Sequence, residues 1–124
     1  TVHFISSDIL SEQSAMQLPD NLDVIVSNPP YVTQSESAEM SNNVINYEPH
    51  LALFVPNEDP LIYYKKIAAL ASKKLVKGGA IYFEINKSYA LETAEILKNL
   101  GFSSIEIRKD INGKERMIKA LLKN

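Results

Sequence analysis

The sequence predicts an α/β fold, because strand-like and helix-like segments alternate along the chain. Two apolar runs, Leu22-Asp23-Val24-Ile25-Val26 and Ala80 to Ile85, are nearly continuous and rich in β-branched residues. That is the pattern of strands buried on both faces of a sheet. Between and after them, apolar residues recur at helical spacing. Near the end, Asn112-Gly113 is a hairpin turn signal, which adds antiparallel character.

Taken in order, Val2 to Ile5 is a short apolar run ending in Ser-Ser-Asp, expected to be a buried strand and a turn. It has no lead-in, as in a chain cut from a longer one. The run from Leu22 stops at Ser27-Asn28-Pro29-Pro30, since two prolines cannot continue a ladder. Residues 32 to 58 are polar and irregular, with one helical turn expected near 36–40. A connection of that length is often functional. Asp59-Pro60 then predicts a helix start, with Asp as N-cap and Pro at the first helical position. Leu61, Tyr64, Ile67, Ala68, Ala71 and Leu75 form its apolar face, and Gly78-Gly79 is expected to end it. After the strand Ala80 to Ile85, Tyr89 to Leu100 is an amphipathic helix with Ala90, Ala94, Ile96 and Leu97 on or near one face, stopped by Gly101. Ile105 and Ile107 alternate with Glu106 and Arg108, as in a half-exposed strand, and Arg116 to Leu122 forms the last one. The reading is an α/β sheet with helices on its faces.

The 124 residues suit one domain, and 45% of them are apolar. The formal net charge is −2 and no Lys/Arg block stands out, which argues against unaided electrostatic capture of nucleic acid. With no cysteine, there is no disulfide framework and no thiolate metal site, and no metal is expected. No apolar stretch approaches a membrane span and no signal peptide opens the chain, so a soluble cytoplasmic domain is expected.

Asn28-Pro29-Pro30-Tyr31 carries the chemistry. It directly follows a predicted strand, and ligands of open α/β sheets bind beyond the carboxyl ends of strands. An amide or exocyclic amine nitrogen is a poor nucleophile because its lone pair is delocalised. Two acceptors gripping its N–H bonds draw density back to nitrogen and aim the lone pair at a methyl donor. The Asn28 side-chain carbonyl and the Pro29 main-chain carbonyl supply two such acceptors. The prolines stiffen the turn, so less ordering remains on binding. Tyr31 offers a flat face for stacking and for cation–π contact with a sulfonium. A plain proline turn capped by Asn is the competing reading. The strand before it and the long loop after it favour the functional one.

With these residues in view, the chain resembles the release-factor glutamine methyltransferases, the HemK/PrmC family. Val24-Ile25-Val26-Ser27-Asn28-Pro29-Pro30-Tyr31-Val32 carries the resemblance, with Tyr47-Glu48-Pro49-His50-Leu51-Ala52-Leu53-Phe54. Lys77-Gly78-Gly79 before a strand ending in Glu84, and the closing Lys109-Asp110-Ile111-Asn112-Gly113-Lys114-Glu115-Arg116, extend it over essentially the whole chain. Asn-Pro-Pro-Tyr alone also occurs in adenine-N6 DNA and guanine-N2 RNA methyltransferases, while the Tyr47 to Leu53 segment and the Lys109 to Arg116 ending are more specific.

The resemblance implies a Rossmann-like class I methyltransferase fold that uses S-adenosylmethionine. Of its sheet order, 3-2-1-4-5-7-6, residues 1–124 would hold strands 3 to 7 and the antiparallel closing hairpin. The chain is then a partial catalytic domain without the N-terminal Gly-rich cofactor-binding strands; its glycines are only Gly78, Gly79, Gly101 and Gly113. The implied acceptor is the glutamine amide of the Gly-Gly-Gln motif in peptide-chain release factors, with no membrane and no direct nucleic-acid partner. Carried over, Asn28 and Pro29 hold that amide, Pro30 belongs to the same catalytic turn, and Tyr31 packs beside the amide. Asp8 contacts the adenine amine of the cofactor, with Ile9 beside the ring and Asn28 near the methyl donor. For Asp8, a helix N-cap is the alternative. Glu48 orders the substrate loop or is a solvated carboxylate. His3 and His50 read as packing or surface residues, and Arg116 as a structural partner of Asp110 or Glu84. After Glu84-Ile85 the family usually has Gly and a Gln-containing stretch. Here Asn86-Lys87-Ser88-Tyr89 stands instead, which leaves the role of that loop open.

Two other readings stay open: a nucleic-acid amino-methyltransferase, and a non-catalytic α/β module. Without its second strand, the first strand lacks a partner and Leu22 to Val26 becomes an edge. Self-association, or repacking of residues 1–12, is expected.

Overall fold

The computed structural model describes residues 1–30 and 59–123 in full, and the backbone of 32–33 and 54–55. Four strands form one sheet: β1 (Leu22–Ser27), β4 (Leu75–Glu84), β6 (Glu115–Leu122) and β5 (Phe102–Lys109), in the spatial order β1-β4-β6-β5. β1 and β4 run parallel, and β6 is antiparallel to both β4 and β5. Numbered as the resemblance implies, this order is 4-5-7-6 with strand 7 reversed. Val32–Thr33 (β2) and Phe54–Val55 (β3) make a separate parallel pair that the sequence did not announce.

Two helices complete the core, α2 (Ile62–Lys74) and α3 (Ala90–Asn99), the latter entered through a 3-10 turn at Lys87–Tyr89. Their buried residues Tyr64, Ile67, Ala68, Ala71, Ala90 and Leu97 meet Ile81, Phe83, Ile85, Ile118 and Ala120 of the sheet. Since side chains alternate along a strand, these sheet residues share one face. Helices on both faces were expected. Among the described elements they cover one, and Val24, Val26 and Met117 stay exposed on the other.

Three further expectations are corrected. Residues 1–8 form no strand; Val2, Phe4 and Ile5 are exposed. A strand needs a neighbour to satisfy its backbone, and β1 pairs only with β4 among the described strands. The chain instead turns at Asp8 and makes a four-residue helix, α1 (Ser14–Gln17). Next, α2 begins at Ile62, and its N-terminus has no side-chain cap. Asp59 helps differently, through its carbonyl to the Ile62 N–H (3.3 Å) and its carboxylate to Lys65 (3.0 Å). Finally, Gly78-Gly79 does not end that helix. It stops at Lys74 and β4 starts at Leu75. The register jumps from Leu22–Leu75 to Val24–Ala80, so residues 76–79 bulge. A Cβ on Gly79 would meet the Val76 carbonyl at 2.9 Å and the Asp23 carbonyl at 3.1 Å. The glycine is there for close approach of two backbones.

Candidate active site

β1 delivers Asn28, Pro29 and Pro30 to the carboxyl edge of its parallel pair with β4. Pro29 is buried, Pro30 half-buried and Asn28 exposed. Burying the ring that follows Asn28 anchors the turn from below while leaving the amide side chain outside. Ser27, Pro29 and Pro30 line an apolar cavity of about 420 Å³, with Ile9 from the Asp8 turn and Tyr63 and Ile67 from α2 among its other walls. The structure thus brings Ile9 to the same cavity as the two prolines. Asn28 itself is not on the wall.

Asp8 is exposed, and one carboxylate oxygen accepts the Leu10 N–H at 3.0 Å, closing a turn. It does not cap α1, whose first residue is Ser14. Asp8 adjoins Ile9, which packs against the core and lines the cavity. The apolar wall of Ile9, Pro29 and Pro30 is chemically matched to such a ring. Ile9, Pro29 and Pro30 would suit the flat ring of an adenine. Tyr31, Glu48 and His50 lie outside the described residues, as does the turn expected at 36–40.

The carboxyl edge of β4 is tied down from three sides. The buried Tyr64 hydroxyl donates to the Glu84 carbonyl at 2.6 Å, its ring edge-on to Phe83 with centroids 5.0 Å apart. The Ile85 N–H donates to the Arg116 carbonyl at 2.9 Å. The Asn86 side-chain carbonyl accepts the Ser88 N–H at 2.9 Å, which starts the 3-10 turn. The loop that departs from the family pattern is thus an ordered, side-chain-capped connection.

The closing motif explains Arg116. Asp110 accepts the Asn112 and Lys114 N–H groups on one oxygen (2.9 and 3.0 Å) and the Arg116 Nε on the other (3.1 Å). The Lys114 N–H, foremost, then Arg116 and the Asn112 N–H hold the Asp110 carboxyl below the usual carboxylate range, against a desolvation that raises it. Asp110, one of the two partners considered for Arg116, is bonded to it. Among the described residues no cluster of three or more His, Cys, Asp or Glu is placed to hold a metal, and no helix is long and apolar enough to cross a membrane.

The cavity wall contributed by Tyr63, Leu70, Leu18, Leu22 and Ile25 was not foreseen. Tyr63 and Leu70 lie off the single apolar stripe expected for α2. The signal was available in the helix's second row of apolar residues, which a one-face reading passes over.

The sheet order and strand directions are those of a truncated Rossmann-like α/β sheet. A putative DNA modification methylase from Thermus thermophilus has the same fold, with a TM-score of 0.58 over 95% of this chain and 52% of that one, at 14% identity. No family model matches the chain. By sequence it matches the C-terminal part of release factor glutamine methyltransferases. It is 46% identical over 118 residues to the one from Flavobacterium psychrophilum, covering 95% of this chain and 40% of that relative. It is 48% identical over 98 residues to the one from Bacteroides thetaiotaomicron, covering 79% and 35%. The chain therefore spans about two fifths of the length of these curated relatives.

Proposed function

We propose that the chain is the acceptor-site part of an S-adenosylmethionine-dependent methyltransferase that modifies the glutamine side-chain amide of the Gly-Gly-Gln motif in peptide-chain release factors. The observation that carries this reading is the match over 95% of the chain to a release factor glutamine methyltransferase. It is joined by an Asn-Pro-Pro turn standing at the carboxyl edge of a parallel strand. The Gly-rich turn of the cofactor site is then supplied by sequence outside these residues.

The chemistry follows from positioning. S-adenosylmethionine, when bound, supplies an activated methyl group on a positively charged sulfur. Asp8 would hold its adenine amine, Ile9 and the prolines would face the ring, and Asn28 would stand toward the methyl. The Asn28 carbonyl and the Pro29 main-chain carbonyl each accept one N–H of the glutamine amide. That grip fixes the nitrogen in line and returns electron density to it. Holding two reactants in a near-attack geometry lowers a barrier by up to about 7–11 kcal/mol in favourable cases. Tyr31 and Glu48 border the acceptor in this reading.

The test is methyl transfer by the full-length protein to a release factor, with DNA and RNA as competing acceptors. Transfer to the glutamine of Gly-Gly-Gln, and none to a Gly-Gly-Ala variant, is expected. Transfer to nucleic acid instead sinks the reading.

A further inference from the structure

In the parallel register of β1 and β4, Ser27 stands opposite Phe83. The next residues, Asn28 and Glu84, therefore leave the sheet side by side, on strands about 4.8 Å apart. Their side chains emerge on the same face. On β4, Ile81, Phe83 and Ile85 are buried against the helices, which turns Tyr82 and Glu84 the other way. On β1, Ile25 packs on the core while Val24 and Val26 are exposed, so Asn28 follows them to Glu84's face. The root of Glu84 is held still by the Tyr64 hydroxyl on its carbonyl and by the Ile85–Arg116 bond one residue on. A carboxylate on a rigid strand end thus stands beside the residue proposed to grip the acceptor nitrogen.

Among the described residues, the charged and titratable side chains near this face come from β6, β5 and β1. β6 contributes Met117 opposite Glu84, and Lys119, whose ammonium sits 5.6 Å over the Tyr82 ring farther from the edge. β5 contributes the Glu106–Arg108 pair (3.1 Å). From β1, the nearby residues are Val24 and Val26, with Asp23 toward the opposite end. α2 presents the Tyr64 hydroxyl, on the Glu84 carbonyl.

We propose that Glu84 is a catalytic residue, the acceptor of the proton that the methylated nitrogen sheds; this rests on the amide-methylation reading above. The nitrogen lone pair forms the new N–C bond. The C–S bond breaks with its electron pair going to sulfur, which turns from sulfonium to neutral thioether. The N–H bond then breaks, its electrons stay on nitrogen, and the proton goes to the Glu84 carboxylate and on to water. Positive charge moves from sulfur to nitrogen along this path, so a carboxylate beside the nitrogen stabilises the transition state more than the ground state.

The test uses the full-length protein and its Glu84→Gln and Glu84→Asp variants. Glu84→Gln should lower kcat by about 10²- to 10⁴-fold with the KM for a Gly-Gly-Gln peptide and the affinity for S-adenosylhomocysteine unchanged. Glu84→Asp should recover part of the rate. Independently of turnover, the carbon-13 resonance of the Glu84 side-chain carboxyl should move when the Gly-Gly-Gln peptide is added with S-adenosylhomocysteine, and stay put with Gly-Gly-Ala. A wild-type rate in Glu84→Gln, or a resonance indifferent to the glutamine peptide, overturns the role of Glu84 and leaves amide methylation standing. A wild-type protein that methylates no glutamine peptide overturns both.

Discussion

Asn28 acts, in this mechanism, through one side-chain carbonyl oxygen, on a turn anchored by the buried Pro29. Asn28→Ala in the full-length protein should cut kcat by about 10²-fold or more, as removal of a preorganised polar contact does elsewhere, while S-adenosylhomocysteine affinity by calorimetry stays within a few-fold. Asp110 offers a second test at this scale. Its folded carboxyl titrates below the ordinary value of 3.8. A depressed carboxyl stabilises the fold above its unfolded pKa and loses that contribution as pH falls through the folded one. Asp110→Asn should therefore be less stable than wild type at neutral pH, and the gap should close as unfolding is followed below pH about 3.8. A gap constant across that range would contradict the carboxylate's part in the turn. Much of this was legible from residues alone: the Asn-Pro-Pro turn, its place after a strand, and the Asp110–Arg116 pair. The Asn28–Glu84 juxtaposition was not, because it depends on the register between strands far apart in sequence.

Elements were legible where one segment settles its own structure. β1, the later part of β4, α3 and the Asn112-Gly113 hairpin follow from local pattern and turn chemistry. The misses have a common cause. Val2 to Ile5 has strand composition, but a strand is a paired object and its neighbour is not among the described residues. Lys77-Gly78-Gly79 looks like a helix stop, yet the chain is already extended from Leu75 and uses Gly79 to pass close to the Asp23 carbonyl. Gly79→Ala should destabilise by about 1–3 kcal/mol, the usual cost of forcing atoms into a filled space, measured by urea unfolding. Tyr64→Phe keeps the ring against Phe83 but strips the donor from the Glu84 carbonyl, and should cost about 1–3 kcal/mol if that carbonyl is left unsatisfied. A change below a few tenths would mean that the carbonyl finds another donor.

At the scale of the whole molecule, a sheet that the described helices cover on one face has consequences. Phe4 is 95% exposed and Val26 76% exposed, and β1 is an edge of its sheet. A protein made of these 124 residues should associate with itself as concentration rises, by light scattering, and Val26→Lys should weaken that association. It should also fail to bind S-adenosylhomocysteine in calorimetry, since in the proposed reading Asp8, Ile9 and Asn28 would meet only part of that ligand. Micromolar binding would mean that a cofactor pocket forms without a Gly-rich turn. The most direct test of the proposed function remains the product. Full-length protein, S-adenosylmethionine and a release factor should yield one methyl group on the glutamine of Gly-Gly-Gln by peptide mass spectrometry, and the Asn28→Ala protein should yield almost none. Methylation that persists in Asn28→Ala, or that appears on nucleic acid and not on the glutamine, would contradict the Asn28–Pro29 amide grip.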